Sequence, residues 1–119
     1  MNDLAATLPL LDGVLERTLR EIMQEEYPHL LETFRDDSFQ RLALLRAALA
    51  AGAAEEIRQL AHSFKGSSSN MGAVRLAERC RQLESLAREA RLDEACACLA
   101  ALADDLDAVL HRLFAAPDR

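Results

Sequence analysis

Aromatic residues are scarce in this sequence: only 4% of its 119 residues are aromatic, and none is tryptophan. Half of the residues are hydrophobic, and most of these are leucine and alanine. Because β-strands favour aromatic and β-branched side chains, this composition argues against a β-sandwich and favours helices that pack closely together. No stretch alternates apolar and polar residues with the period of two that marks a strand.

Proline and glycine are also scarce, and their positions divide the chain into helices. No proline falls between residues 29 and 116, so nothing in this range forbids a helix. Glycine occurs only at Gly13, Gly52, Gly66 and Gly72. Apolar residues at helical spacing predict an N-terminal helix at about residues 10–24 and four further helices, at about 28–51, 54–70, 74–90 and 92–113.

Short connections between long amphipathic helices make neighbouring helices antiparallel. The predicted fold class is therefore all-α: an antiparallel up-down four-helix bundle of about residues 28–115, with the additional N-terminal helix covering one end. The chain is long enough for one real core and too short for two, so we assign residues 1–119 to a single domain. The polar run Asp36-Asp37-Ser38 predicts a kink or a division in the helix of residues 28–51.

The sequence lacks the features of nucleic-acid-binding and membrane proteins. Its net charge of −6 is opposite to the basic surface that nucleic-acid phosphates require. No apolar run approaches the roughly 20 residues that span a bilayer. The N-terminus lacks the basic start and the apolar core of a signal peptide. We therefore expect a cytoplasmic protein that binds neither nucleic acid nor membranes.

Cysteine is rare and odd in number, which fits reduced thiols better than a disulfide framework. Cys80 and Cys96 fall on apolar helical stripes and Cys98 lies beside one, so we expect buried structural thiols. The tripeptide of residues 96–98 has neither the spacing nor the histidine partners of a zinc site. We predict no metal site and no cofactor of the chain's own.

One histidine is distinguished by its surroundings. On a helical wheel of about 100° per residue, Ile57, Ala61 and Phe64 share the apolar face of the helix of residues 54–70. His62 lies well off that face, and the residues near it are Arg58, Lys65, Gly66 and Ser69. The imidazole therefore points outward. The residue one turn further on is a glycine, so another molecule can approach the ring.

The sequence around this histidine resembles histidine-containing phosphotransfer (HPt) domains. The resemblance extends from about residue 27 to about residue 88 and is sharpest in the run HSFKGSSSNMG from His62 to Gly72. It continues in AVRLA at 73–77 and CRQLE at 80–84. The resemblance implies a helical bundle that relays phosphoryl groups between receiver domains, with His62 as the residue that is phosphorylated.

The neighbours of His62 suit phosphoryl transfer. Neutral imidazole has a nucleophilic nitrogen near pH 7, and the loose transition state needs little beyond positioning and positive charge. Lys65, one turn from His62, can bring its ammonium group to the phosphoryl oxygens. Glycine inside a helix costs about 1 kcal/mol relative to alanine, so clearance for the phosphoryl group is the natural reason for Gly66.

A second helix offers an orienting group for the imidazole. His62 lies about 15 Å before the turn at Gly72 and Glu84 about 18 Å after it, so the two have similar heights on antiparallel helices. Glu84 can then accept a hydrogen bond from one ring nitrogen and leave the other nucleophilic. The resemblance to HPt domains also implies this role for Glu84. Arg88, one turn beyond, can pair with Glu84 or with incoming phosphate.

The expected partners are the receiver domains of a hybrid sensor kinase and of a response regulator. The chain has no Gly-rich nucleotide loop and no Walker motif, so we expect a monomeric carrier without kinase activity of its own. Magnesium would be held by the receiver domain. The predicted docking surface includes Arg58, Gly66 and Ser69 around His62, with Phe39 and Leu42 on the helix of residues 28–51.

Two other interpretations remain open from the sequence. The first is a non-catalytic helical bundle that binds a partner through the same face without phosphorylation of His62. A metal-carrying bundle is the second, although it would need inward carboxylates and Glu-x-x-His pairs, and none is evident. His29 and His111 lack neighbours like those of His62, so we expect both to be ordinary surface histidines.

Overall fold

The structure is a computed structural model that describes residues 3–115. All regular structure in this range is helical, as predicted. The helices are α1 (Leu4–Thr7), α2 (Gly13–Met23), α3 (Tyr27–Ala50), α4 (Ala54–Asn70), α5 (Val74–Arg88) and α6 (Leu92–Leu113), with a 3₁₀ turn at Gln24–Glu26 between α2 and α3.

Helices α3 to α6 form the four-helix bundle, and α4 packs most extensively on α5. Side chains from all four helices fill its core. The largest that are fully buried are Leu45, Ile57, Phe64, Leu76, Leu83, Leu102, Leu106 and Val109. Within residues 3–115, no helix has the length and the apolar character needed to cross a membrane.

Helix α3 is continuous, so the predicted division at residues 36–38 is wrong. Asp36 and Asp37 face solvent, whereas Ser38 is fully buried among the core residues. Two carboxylates on the outer face of a helix do not disturb its inner face. The polar run therefore interrupts the sequence pattern without interrupting the helix.

The turn between α4 and α5 requires a glycine at Gly72, which has a φ of 71°. The Gly72 and Ala73 amides donate to the carbonyls of Ser69 and Ser68, at 3.0 and 2.9 Å, in a Schellman arrangement. A Cβ atom on Gly72 would lie 3.1 Å from a methyl carbon of Leu15 in α2. The turn that ends α4 is thus also the place where α2 rests on the bundle.

The helix predicted at residues 10–24 is α2, which begins at Gly13, three residues later than predicted. Asp12 is its N-cap, and its carboxylate accepts hydrogen bonds from the amides of Val14 and Leu15 at 3.0 and 3.2 Å. Val14 and Ile22 are apolar residues of this helix, but both are largely exposed. The bundle covers only part of the apolar surface of α2.

Helix α5 ends at Arg88, two residues earlier than predicted, because Ala90 has a φ of 55° and cannot continue a right-handed helix. The thiols also differ from expectation in part. Cys80 and Cys98 are buried, but Cys96 is exposed, so its predicted burial is wrong. Burial raises the pKa of the Cys98 thiol to about 11, which keeps it protonated at neutral pH.

An ion-pair network ties the N-terminal segment to the bundle. Arg79 of α5 donates to Asp105 of α6 and to Asp3, both at 2.8 Å. Arg75, one turn earlier in α5, donates to the carbonyl oxygen of Leu8 at 2.8 Å. These contacts hold the segment that precedes α2 against α5, and they leave the exposed side of α4 open.

Candidate functional site

His62 stands on the solvent-facing side of α4, opposite the buried Ile57, Ala61 and Phe64. Its side chain is 65% exposed. The buried face of α4 packs against the bundle and fixes the helix, so the imidazole is presented outward from a rigid element. This is the orientation that the helical wheel predicts.

Glu84 of α5 accepts a hydrogen bond from the imidazole: its Oε2 lies 2.8 Å from His62 Nδ1. An ionised carboxylate can only accept, so the contact places the ring proton on Nδ1 and leaves the lone pair on Nε2. Nε2 makes no hydrogen bond to any residue between 3 and 115. Nε2 is therefore free, and its position is fixed by the contact at the opposite nitrogen.

Glu84 also receives the ammonium group of Lys65, whose Nζ lies 2.7 Å from Oε1. The Glu84 side chain is only 7% exposed. Burial on its own raises the pKa of this carboxyl group, but the hydrogen bonds from Lys65 and His62 outweigh it and hold the pKa below its ordinary value. Glu84 is thus ionised at neutral pH.

Arg88 and Arg58 complete a basic rim around the histidine. The guanidinium of Arg88 lies 3.5 Å from Glu84 Oε2, and its side chain is exposed. Arg58, one turn before His62, holds the carboxylate of Glu55 with two nitrogens. Arg88 is the freer of the two arginines, since its contact with Glu84 is long and its side chain extends into solvent.

Gly66 and Ser69 lie on the exposed side of α4, as the wheel predicts. A Cβ atom on Gly66 would meet no atom of residues 3–115 within 4 Å. Packing within this range therefore gives no reason for a glycine at this position, unlike at Gly72. The open space beside His62 is available to another molecule.

The two predicted docking residues of α3 have different surroundings. Phe39 is 47% exposed and lies on the surface, whereas Leu42 is 6% exposed, so its assignment to a docking surface is wrong. Leu42 belongs to the same buried stripe as Leu45 and Ala48. Leu44 is the exposed leucine of this segment, at 44%. Helical spacing alone places Leu44 off this stripe, so the sequence pattern could have identified Leu44 as the exposed leucine.

The other two histidines have no surroundings like those of His62. His29 and His111 are exposed, as predicted, and neither hydrogen-bonds with a described residue. Between residues 3 and 115, no group of three or more histidine, cysteine, aspartate or glutamate side chains is placed to hold a metal ion. The structure thus brings together four of the predicted residues, namely His62, Lys65, Glu84 and Arg88.

Comparison with known proteins gives the family. Residues 29–112 match the family described as the Hpt domain. The crystal structure of histidine-containing phosphotransfer protein B (HptB) from Pseudomonas aeruginosa PAO1 is 46% identical to the chain, with a TM-score of 0.85 over 90% of this chain and 93% of that one. A putative histidine-containing phosphotransfer protein from rice has the same fold, with a TM-score of 0.80 and 19% identity over 87% of this chain and 78% of that one. No curated protein sequence matches the chain. The family match over most of the chain shows that it belongs to the Hpt domain family, whose members carry phosphoryl groups on histidine in phosphorelays.

Proposed function

We propose that His62 is the phosphoryl carrier of this chain and that Nε2 is the atom that bonds to phosphorus. The donor is an aspartyl phosphate of one receiver domain, in a hybrid sensor kinase, and the acceptor is an aspartate of another, in a response regulator. The observation that carries this proposal is the 2.8 Å contact of Nδ1 with Glu84, which leaves Nε2 exposed with its lone pair.

The proposed step requires no proton transfer. The Nε2 lone pair attacks phosphorus, the phosphorus–oxygen bond to the donor aspartate breaks, and the carboxylate leaves with the bonding electrons. The Nδ1 proton stays on the ring and remains hydrogen-bonded to Glu84. The cationic phosphoimidazolium that forms is therefore next to a carboxylate, which stabilises it. Reversal of the same step delivers the phosphoryl group to the second receiver.

Lys65 supplies the mobile positive charge in this mechanism. Its ammonium group is held by Glu84 at 2.7 Å before transfer. A lysine side chain has four rotatable methylene groups, so the ammonium can move from the carboxylate to the phosphoryl oxygens when these arrive. Gly66 leaves room for the donor, since no described residue occupies the space beside it.

The chain itself contributes the histidine, the orienting carboxylate and the lysine. In this proposal magnesium is held by the receiver domain, and the protein has no kinase activity of its own. It acts as a monomer in the cytoplasm, where a reducing environment suits its three free cysteines.

A receiver domain that carries aspartyl phosphate, mixed with the purified protein, tests the assignment. We expect acid-labile phosphate to appear on the wild-type protein and on a His111→Ala variant, and none on a His62→Ala variant. His111 is the matched control because it is also an exposed helical histidine. If His62→Ala accepted phosphate as well as wild type, the carrier assignment would be wrong. If no receiver from the same genome phosphorylated the wild-type protein, the non-catalytic binding bundle would replace it.

A further inference from the structure

A groove lined by polar and apolar residues lies beside the histidine, between α3 and α4, and the proposed transfer step does not use it. Its volume is about 320 Å³. The polar residues that line it are Thr33, Asp37, Arg41, Ser63, Ser67 and Asn70. Ser63 directly follows His62 in the chain, so a protein that covers the imidazole also reaches the edge of this groove.

Arg41 is the unusual residue of the groove. Its Nη1 atom is buried and has no hydrogen-bond partner. Among residues 3–115, no carboxylate lies within 4 Å of its guanidinium group. By contrast, Arg79, the most deeply buried arginine of the described chain, is held by two carboxylates at 2.8 Å. The guanidinium of Arg41 thus has no ion-pair partner within 4 Å among the described residues, in a partly enclosed site.

The neighbours of Arg41 favour an anion as its missing partner. A guanidinium group stays charged at every physiological pH, and a buried donor without a partner destabilises a fold. Ser63, Ser67 and Asn70 add hydroxyl and amide donors on the opposite wall of the groove. Asp37 is the one acidic residue that lines the groove, and its exposed carboxylate lies more than 4 Å from the guanidinium of Arg41.

We propose that this groove is a second contact point for the docking receiver domain and that Arg41 binds the carboxylate of an acidic side chain of that partner. The inference rests on the proposed function, because it takes the receiver as the molecule that covers His62. Two observations favour this occupant. Ser63, which lines the groove, directly follows the exposed His62 in α4. Arg41 carries a positive charge without an ion-pair partner, in a chain whose net charge is −6. Its surroundings are therefore complementary to an acidic side chain of a partner.

The test starts from a receiver that phosphorylates the wild-type protein and compares Arg41→Gln with Arg46→Gln. Arg46 is an exposed arginine on the same helix that does not line the groove, so its variant removes the same charge. Loss of a charge-assisted contact should raise the apparent KM for the receiver about tenfold in Arg41→Gln. We expect the maximal transfer rate of this variant, and both constants of Arg46→Gln, to stay within about twofold of wild type.

Two further measurements separate docking from chemistry and from folding. Phosphoramidate, a donor too small to use the groove, should phosphorylate His62 at the same rate in Arg41→Gln and wild type. The midpoint of thermal unfolding should be unchanged or higher in Arg41→Gln, because the variant removes a buried charge without a partner. An Asp37→Asn variant should lower the KM for the receiver, since it removes a repelling carboxylate.

Three results would overturn the inference. One is an equal KM for Arg41→Gln and Arg46→Gln. Another is an equal slowing of Arg41→Gln with phosphoramidate and with the receiver, which would place its effect on His62 or the fold. The third is a raised KM in Asp37→Asn matching that of Arg41→Gln, which would make Asp37 the internal partner of the arginine. None of these results affects the assignment of His62, because the wild-type protein is phosphorylated in all three.

Discussion

At the scale of single residues, Glu84 connects the two groups that the proposed mechanism uses. One carboxylate oxygen accepts from the imidazole and the other from Lys65. The positive charge of Lys65 is therefore paired with Glu84 while the histidine is unphosphorylated. In the proposed mechanism, the oxygens of the incoming phosphoryl group compete with Glu84 for the ammonium group of Lys65, which moves to the larger negative charge.

Replacement of Lys65 by alanine should slow phosphoryl transfer about tenfold to a hundredfold, because the transition state loses its mobile positive charge. Stability should fall by about 1 kcal/mol or less, since Lys65 is partly exposed. Rapid-quench measurement of transfer from a phosphorylated receiver checks the rate. A Lys65→Arg variant, which keeps the charge, serves as control. An unchanged rate in Lys65→Ala would remove the lysine from the mechanism.

The lowered pKa of Glu84 predicts how stability depends on pH. A carboxyl group with a folded-state pKa below its unfolded value stabilises the fold above the unfolded value, and this contribution is lost as pH falls through the folded pKa. The difference in unfolding free energy between wild type and Glu84→Gln should therefore shrink as pH falls from 6 toward 3. Urea unfolding at a series of pH values measures it. A constant or growing difference would contradict the ion-pair account.

Much of the site could be predicted at this scale by counting along two helices. The 3.6-residue period places His62 outward, and equal distances from the turn at Gly72 bring Glu84 level with it. The contact of Lys65 with Glu84 was not predicted, because a flexible side chain can reach several partners from one position. Leu42 was misplaced for a different reason: on an alanine- and leucine-rich helix, residue type alone does not separate inner from outer positions.

At the scale of helices, α4 has conflicting requirements at Gly66. Helix stability favours alanine, and no atom in the described part of the chain fills the space that a Cβ would occupy. A glycine stands in the fourth turn of a 17-residue helix despite its cost. We propose that the approach of a partner to the adjacent imidazole is the reason for this glycine.

Gly66→Ala should therefore make the protein more stable and less active. We expect the free energy of unfolding to rise by about 0.5–1 kcal/mol, because alanine favours the helix. Transfer from a receiver should slow, while phosphorylation by phosphoramidate should change less. Thermal unfolding and transfer kinetics measured on one preparation test both parts. A variant that gained stability at full transfer rate would show that Gly66 does not serve clearance.

Helix boundaries were predictable where local chemistry decides them. Helix α4 begins and ends as expected, at Ala54 and Asn70, because glycines follow both α3 and α4. The end of α5 was not predictable, since the residue with the left-handed conformation there is Ala90, and alanine gives no sequence signal for that conformation. The continuity of α3 depends on which side of the helix residues 36–38 occupy, and packing with the other helices decides this.

At the scale of the whole molecule, the N-terminal segment is fastened to the bundle by charge. Asp3 and Asp105 lie on either side of Arg79, and the side chains of Arg79 and Asp105 are 9% and 11% exposed. No local pattern in the sequence predicts this network, because its members are 76 and 26 residues apart. The charges are distant in sequence and meet only in the folded bundle.

An Asp105→Asn variant should lose about 3 kcal/mol of unfolding free energy, because it leaves the buried charge of Arg79 without its main partner. Asp3→Asn should lose about 1 kcal/mol or less, since Asp3 is 45% exposed. Urea unfolding of both variants provides the comparison. Equal losses would mean that burial does not set the strength of these pairs.

The position of phosphorus on the imidazole tests the central claim most directly. ¹⁵N-labelled protein, phosphorylated by a receiver, can be examined by ³¹P and ¹⁵N NMR for the nitrogen of His62 that is bonded to phosphorus. We predict a bond to Nε2, with Nδ1 still protonated and hydrogen-bonded to Glu84. A phosphoryl group on Nδ1, on another histidine or on a serine of residues 67–69 would contradict the account.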